Sequence, residues 1–467
     1  MAAVRHCCVV VAVIGDLVAL RIAQDGGASD DWTLDAVDAA TVEVAAGLGV
    51  SRGWAASYVR YAHVLRVQLP KVGRAFIAGD IDEATFRALV FRTGLITEDD
   101  VLARVDEELA VRAPRWGSIN RSQLAARIDT IVARVDRDAV RRRKDRIAGR
   151  EVFVGDVDHG LAELSATLYA TDAHAVAQQL TALAATVCPA DPRTVAQRRA
   201  DAMGALAVRA DRLSCCCGSP DCPAGGTAAS PVVIHVIAEA STVAGAGHTP
   251  GAMAGHEGLI PAEMIAELAA SARLRPLIHP GAAPPERGYT PSRALANFVR
   301  CRDLTCRFPN CDKPAVNCDI DHTIPYGDGG PTCASNLACI CRFHHVLKTF
   351  WGWRDEQLAD ATIIWTTPNG EKYVTHPGGA IIYPGLGVPT RPIAVPATQP
   401  ADRCGDKTAM MPRKQRTRAQ SRAAAITAER RANHQHRINP KPDTRCDEDF
   451  EYLDTFTTAQ DPDPPPF

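Results

Sequence analysis

Apolar residues recur at helical spacing through most of the first third of the chain. From Thr33 to about Arg112 the pattern is helical, and turn residues such as Leu69-Pro70 divide it into short helices. One apolar stripe predicts the clearest helix, from Ser118 to about Ile147; its members are Leu124, Ile128, Ile131 and Val135. The pattern therefore predicts a helical domain.

The stretch from Val42 to Val59 predicts two short helices around a glycine turn, with Ser51 opening the second. In a helix-turn-helix motif the second helix enters the major groove of DNA. A tight pair of packed helices needs the same small residues and the same turn. Packing is the favoured interpretation, and DNA binding is the alternative.

After Gly149 the spacing of apolar residues changes to that of strands. Two stretches, Glu151–Val157 and Leu161–Leu168, predict a hairpin, and Pro231–Ile237 predicts a further short strand, with helices between them. Residues 30–275 are therefore predicted to form a mainly α domain with a small β-sheet, in the α+β class.

The remaining third divides into three parts. Residues 276–290 are rich in Pro and Gly and predict a linker. Residues 291–380 predict a small second domain that ends in a hairpin around Pro368-Asn-Gly. Residues 385–467 lose periodicity and are predicted to be largely disordered, with the basic segment Arg413–Arg437 as a solitary helix or an electrostatic tether.

Charge gives no general attraction to nucleic acid, because the 467 residues carry a formal net charge of −2. Local patches must supply any such binding. Residues 112–150 hold twelve Lys or Arg against four Asp or Glu, which predicts either a solvated face or a phosphate-binding face. Neither a phosphate-cradling loop nor a dinucleotide fingerprint is present, which argues against an NTP-driven motor.

The first twenty residues hold an apolar run that Asp16 interrupts. The run lacks a prompt cleavage site and is too short to span a bilayer. It is interpreted as a buried segment, so a cytoplasmic protein without a membrane partner is expected.

The sixteen cysteines cluster at 215–222 and 301–341, which favours metal sites over disulfides. In the second cluster Cys306-x4-Cys311 and Cys341-x2-His344 form two close pairs. Thiolate and imidazole ligands in two pairs fit a tetrahedral structural Zn²⁺ with no open position.

In the first cluster Cys215, Cys217 and Cys222 lie on a Gly/Pro loop. They predict a second zinc site that lacks a spaced fourth ligand, for which His235 is the candidate; free or redox-reactive thiols are the alternative.

Between the two zinc-ligand pairs lies a second set of chemical groups. Asp321 supplies an oxygen and His345 a nitrogen, which suits Mg²⁺, Mn²⁺ or another divalent transition ion with open positions. On an extended chain His322 points to the side opposite Asp321 and is free to act as a base.

These residues resemble the HNH endonucleases through Asp321-His322, Gly329-Gly330, Asn336-Leu337 and Cys341-x2-His344-His345-x2-Lys348. The resemblance implies a ββα-metal fold with a general base at His322 and a catalytic divalent ion on Asp321 and His345. It also gives Asn336 the role of orienting the ribbon loop or the metal site. The expected DNA phosphate contacts are Arg300, Arg302, Arg307 and Lys348.

The loop Cys215–Pro223, the VVIHV strand and Thr375–Gly379 extend the likeness to actinobacterial, especially mycobacterial, repeat-family proteins. These proteins pair an uncharacterised N-terminal domain with an HNH domain. The resemblance implies a metal-dependent DNA endonuclease. One alternative is a zinc-stabilised DNA-binding protein of a mobile or repetitive element without nuclease activity, and another is a protein-interaction element of such a locus. The target sequence and the oligomeric state do not follow from the sequence.

Overall fold

The computed structural model describes residues 2–116, 119–140, 150–155, 160–225, 235–253, 258–270, 272–393 and 411–439, with side chains from residue 10 onward. The helices are α1 (Ala2–Asp25), α2 (Ala36–Leu48), α3 (Arg52–His63), α4 (Pro70–Ala78), α5 (Glu83–Thr93), α6 (Asp99–Arg112), α7 (Arg121–Val135), α8 (Ala170–Ala184), α9 (Val195–Ala207), α10 (Ala240–Val243), α11 (Ala262–Ala269), α12 (Arg293–Asp303), α13 (Arg342–Phe350), α14 (Gly378–Ile382) and α15 (Arg418–Ile438).

The strands form small antiparallel sheets. They are β1 (Glu151–Val154), β2 (Leu164–Thr167), β3 (Val236–Ile237), β4 (Gly251–Met253), β5 (Leu259–Ile260), β6 (Cys318–His322), β7 (Leu337–Cys341), β8 (Arg354–Gln357), β9 (Ile363–Thr366) and β10 (Lys372–Thr375). Their pairing is β1-β2, β3-β4-β5, β6-β7 and β8-β9-β10. The described chain is mostly helical with small antiparallel sheets, so the predicted α+β class is confirmed.

Helices α1 to α7 pack around the first of two apolar cores. Val11, Ile14 and Val18 of α1 are buried in it, as expected for the apolar run at the start of the chain. The domain therefore includes residues before position 30, where its start was predicted. Within the described residues, no helix combines the length and the apolar character needed to cross a membrane.

Helix α2 connects the first core to the second. Asp35 caps its first turn and Gly49, at φ 66°, ends it in a left-handed conformation that glycine adopts without strain. Ala40 and Val44 face the first core, whereas Val42 lies in the second core with α12, β7 and β9. Because α2 contributes side chains to both cores, the two domains pack against each other at this helix.

The predicted helix pair at 42–59 is present as α2 and α3. Ser51 caps α3, and the guanidinium of Arg52 lies 4.3 Å from the centre of the Phe343 ring on α13. Contact with the second domain at the start of α3 supports the packing interpretation. Helix α7 ends at Val135, earlier than predicted, and the basic run at 141–144 lies outside the described residues.

The C-terminal segment 411–439 differs from the expected disordered tail. Met411 is buried in the second core, and Ile426 of α15 packs against the first. Arg418 donates two hydrogen bonds of 2.9 Å to Asp35, and Arg430 pairs with Asp136. Burial raises the pKa of Asp35, but the bonds from Arg418 and Lys414 outweigh it and leave the pKa below its ordinary value. Acidic partners within the chain therefore hold the basic helix in place.

Asn433 is the buried anchor of α15. Its amide nitrogen donates to the carbonyl oxygens of Asp138 and Val140, at 2.8 and 3.0 Å. We expect Asn433→Ala to weaken docking by about 1–2 kcal/mol, which raises the undocked population about 5- to 30-fold. Limited trypsin digestion should then cut within residues 418–437 faster. The exposed Gln435→Ala is the control, and equal cleavage of both variants would contradict the anchoring role.

Candidate metal and catalytic site

A strand pair and a helix form the centre of the second domain. Strands β6 and β7 are antiparallel, with Cys318 opposite Cys341 and His322 opposite Leu337. Every residue of β7 is buried, and Cys341 at its end is also the N-cap residue of α13. The turn from β7 into α13 therefore fixes the first residues of the helix, which include His344 and His345, against the strands.

The four predicted zinc ligands converge at this turn. The ligand atoms of Cys306, Cys311, Cys341 and His344 all lie within 4.8 Å of one another. His344 Nδ1 is 3.3 Å from Cys341 Sγ and 3.6 Å from Cys306 Sγ. Tetrahedral ligands about 2.3 Å from one ion lie about 3.8 Å apart, so the donor set fits a zinc ion.

The surroundings of this set also favour a cation. Burial raises the pKa of the Cys306 thiol well above its ordinary value, whereas hydrogen bonds from Cys306 and Cys311 hold the pKa of Cys341 far below its own. The backbone N–H of Cys341 donates to Cys306 Sγ at 3.2 Å, and the Phe308 ring stacks on His344 at 4.0 Å. Burial keeps Cys306 a neutral thiol unless a positive partner is present, and a bound metal ion would supply one.

Asp321 and His345 meet at one side of the strand pair. His345 Nε2 is 3.4 Å from Asp321 Oδ1, and the other ring nitrogen, Nδ1, is 3.3 Å from Asp319 Oδ2. The side chains of Asp321 and His345 are 13% and 26% exposed, so solvent reaches both. Asp319 had not been predicted, although its position two residues before Asp321 on a strand places it on the same face.

Lys348 is not available as the predicted phosphate contact. Its ammonium lies 2.8 Å from Asp321 and 2.9 Å from Asp355, and it also donates to the carbonyl oxygen of His322. Burial lowers the pKa of Lys348, but the two carboxylates outweigh burial and leave it raised. Because Lys348 of α13 bonds to Asp321 on β6 and Asp355 on β8, the lysine links three elements instead of facing a ligand.

The His322 side chain points away from Asp321 and His345, as predicted for the residue that follows Asp321 on a strand. The ring is buried, and its Nε2 is 3.0 Å from the hydroxyl of Thr332. That hydroxyl donates its single proton to the carbonyl oxygen of Gly288 at 2.7 Å, so Nε2 must be the donor to Thr332. Nδ1 is therefore the basic nitrogen of the neutral ring. Burial lowers the pKa of His322 despite the opposing effect of Asp321.

The predicted linker is part of this site. Gly288 accepts the bond from Thr332, and the Tyr289 ring stacks on His322 with 5.3 Å between ring centres. Glu286 pairs with Thr332 in an isolated bridge. Residues 276–290 therefore lie against the second domain and do not separate it from the first.

Asn336 is fully buried at the end of the loop between β6 and β7. Its side-chain oxygen accepts from the Ile324 N–H at 2.8 Å, and its nitrogen donates to the carbonyl oxygens of Ile324 and Pro331. These bonds close the loop that follows His322. Asn336 was expected to orient either the ribbon loop or the metal site, and all of these contacts are with the loop.

Arg302 and Arg307 are not the phosphate contacts that were predicted. Both are buried around the carboxylate of Asp303, at 2.8 and 3.1 Å. Arg302 also donates to the carbonyl oxygens of Ala334 and Leu337, and Arg307 to that of Thr375. They satisfy buried acceptors that the sequence pattern does not reveal. Arg300 remains half-buried at the end of α12.

The first cysteine cluster has a different fourth member from the one predicted. Cys188, Cys215, Cys217 and Cys222 bring their sulfur atoms within 4.8 Å of one another. His235 is exposed and is not part of the group. Cys188 lies just after α8, too far along the chain from the loop for its spacing to be recognised. Both clusters have the ligands for a metal ion such as zinc.

Comparison with known proteins identifies the chain at the level of a family. Residues 3–303 match the family described as "Domain of unknown function (DUF222)". The chain belongs to this family. It is 42% identical to uncharacterized protein Rv3776 of Mycobacterium tuberculosis, over 94% of this chain and 89% of that protein. It is 41% identical to uncharacterized protein Rv2100 of the same organism, over 90% and 83%. No solved structure matches the chain.

The buried position of Arg302 leads to a stability prediction. Arg302→Met should lower the free energy of unfolding by about 3–5 kcal/mol, because it breaks a buried ion pair and leaves carbonyl oxygens without a donor. Arg293→Met, at the exposed start of the same helix, should stay within about 0.5 kcal/mol of wild type. Urea unfolding followed by tryptophan fluorescence measures both. Equal stability of the two variants would restore Arg302 as a ligand contact.

Proposed function

We propose that this protein is a metal-dependent DNA endonuclease that hydrolyses phosphodiester bonds at an HNH-type ββα site. The observation that carries the proposal is the position of three side chains on β6 and α13. Asp321 and His345 meet at a solvent-accessible edge, and His322 lies on the other face of the same strand. A metal-ligand pair and a neutral imidazole on adjacent residues of one strand are the groups that hydrolysis of a phosphodiester uses.

The distance between the two proposed ligands is close to the one that a small ion requires. Two ligands about 2.1 Å from an ion and at right angles lie about 3.0 Å apart, against the 3.4 Å between His345 Nε2 and Asp321 Oδ1. Oxygen and imidazole ligands with open positions suit Mg²⁺, Mn²⁺ or another divalent transition ion. Asp319 accepts from the other nitrogen of His345 and fixes the ring. A bound ion would polarise the scissile phosphate and stabilise the leaving 3′ oxygen.

His322 is the proposed general base. Its bond to Thr332 holds the proton on Nε2, so Nδ1 keeps the lone pair that can take a proton from water. Its lowered pKa keeps the ring neutral at neutral pH, so the lone pair on Nδ1 is free to accept a proton. Stacking on Tyr289 and the closed loop around Asn336 hold the ring in one orientation.

DNA is the proposed partner, and Arg300 on α12 and Arg342 on α13 are the candidate phosphate contacts. Arg342 opens α13, and its side chain is 73% exposed with a distance of 3.7 Å to Asp319. Arg300 is half-buried in the last turn of α12. Such contacts position a phosphate without reading the base sequence.

The second candidate function is a zinc-stabilised DNA-binding protein without nuclease activity. The observation in its favour is the ion pair between Lys348 and Asp321 at 2.8 Å. An ammonium already neutralises the carboxylate that would bind the divalent ion, which weakens the affinity of the pair for a cation.

Cleavage of supercoiled plasmid with Mg²⁺ or Mn²⁺ distinguishes the two functions. Wild type should nick or linearise the plasmid, and His322→Ala should lower the rate about 10²- to 10⁴-fold, because the general base is lost. His248→Ala, an exposed histidine in the first domain, is the control and should cleave normally. Binding of the plasmid is measured in parallel by gel shift.

Two results would count against these roles. If wild type binds the plasmid and leaves it intact with either ion, the nuclease proposal fails and the DNA-binding function stands. If His322→Ala cleaves as fast as wild type, His322 is not the base.

We propose a structural zinc ion at Cys306, Cys311, Cys341 and His344. Cys306→Ser removes one of four ligands at the turn that carries His344 and His345, so the variant should lose one zinc per chain and the fold of the second domain. Metal analysis and near-ultraviolet circular dichroism measure the two losses. Cys333→Ser, a buried cysteine outside the set, is the control. A folded, zinc-loaded Cys306→Ser protein would contradict the assignment.

A further inference from the structure

We propose that Cys188, Cys215, Cys217 and Cys222 form a second, independent zinc site that holds together the segment containing α8 and α9. The four sulfur atoms lie within 4.8 Å of one another, and those of Cys188 and Cys215 are 3.5 Å apart. Four thiolates around one tetrahedral zinc ion lie about 3.8 Å apart, so one ion fits among them with little movement.

The backbone around the four cysteines is held in place by a buried carboxylate. The Asp191 side chain has no exposed surface, and Arg193 pairs with it at 2.7 Å. Asp191 also accepts from the N–H of Cys216 at 2.9 Å, and Arg193 donates to the carbonyl oxygen of Ser214. This network joins the chain after α8 to the loop 214–222. It therefore holds Cys188 beside the other three cysteines.

The loop is closed on its own side as well. The Cys215 N–H donates to the carbonyl oxygen of Ala224 at 2.9 Å, and the Leu213 N–H donates to the hydroxyl of Thr186. Cys216 lies between two members of the set, yet its side chain is exposed and outside the group. The loop thus directs Cys215 and Cys217 to the other members of the set, whereas Cys216 between them faces solvent.

The segment has little else to stabilise it. Across the described residues 160–225, the buried apolar side chains are Leu183, Ala184, Ala202, Leu213 and Ala224, of which three are alanines. Helices α8 and α9 pack against each other, but this core is small for two helices of 15 and 13 residues. Small units of this kind depend on a metal or on disulfides for a stable fold.

The ligand set also defines the role of the ion. Four cysteine ligands complete the tetrahedral shell and leave no position for water or substrate, so the site is structural. It shares no residue with the set at Cys306 and lies in the part of the chain that matches the DUF222 family. The inference does not rest on the proposed nuclease activity.

Metal analysis of the purified full-length protein tests the proposal. Cys188→Ser and Cys222→Ser should each contain one zinc fewer per chain than wild type. Cys216→Ser is the matched control and should keep the wild-type zinc content. Because each result is a difference from wild type, it holds whether or not the Cys306 set binds zinc.

Limited proteolysis shows what the ion does for the fold. Trypsin sites between residues 193 and 212 should be cut at least ten-fold faster in Cys188→Ser than in Cys216→Ser, while sites in α1 to α7 keep their wild-type rates. Unchanged rates in α1 to α7 also show that the variant has not unfolded as a whole.

Three results would overturn the proposal. The first is wild-type zinc content in Cys188→Ser. The second is a disulfide between Cys188 and Cys215 in the wild-type protein, seen as a mass 2 Da below that of the reduced chain. It would show that these cysteines form a disulfide instead of a metal site. The third is iron in place of zinc, lost equally from both ligand variants.

Discussion

The buried carboxylate of Asp303 is the interaction on which the second domain depends. It accepts from Arg302, Arg307 and the N–H of Cys339, and these donors belong to α12, the loop that follows Cys306, and β7. Burial raises the pKa of Asp303, but the two guanidinium groups outweigh burial and keep it below its ordinary value, so the carboxylate stays ionised. Removing one partner would leave an uncompensated charge in the core. The positions of Cys306 and β7, and through them of the candidate site, follow from this network.

The convergence of three cysteines and a histidine in the second domain could be predicted from sequence, because their spacing is short and their residue types are specific. Cys306, Cys311, Cys341 and His344 come together as two close pairs should. Long-range partners could not be predicted. Cys188 joins a loop more than twenty residues away, and Asp355 on β8 pairs with Lys348 on α13, a contact that no short spacing in the sequence indicates. Arg302 and Arg307 have the composition of a phosphate site, and only their burial shows that they serve the core.

The two domains are less separate than composition suggested. Proline and glycine between 276 and 290 indicated a linker, yet Gly288 and Tyr289 contact the residues around His322. Charge in the C-terminal segment indicated a tether, yet α15 pairs with Asp35 and Asp136 of the first domain. Helix α2 contributes side chains to both cores. The match to the DUF222 family ends at residue 303, inside the second core, so the family's domain includes the helix that carries Arg302 and Asp303.

The proposed nuclease requires that β6 and α13 together bind one divalent ion at Asp321 and His345. A crystal structure of the zinc-loaded protein soaked in Mn²⁺, with anomalous scattering measured at the manganese edge, tests for this ion. We expect a manganese peak about 2.1–2.3 Å from both Asp321 Oδ1 and His345 Nε2, with Lys348 displaced from the carboxylate or bound only to its second oxygen. A crystal with no manganese between these two side chains, and with Lys348 still paired to Asp321, would show that the pair is not a metal site.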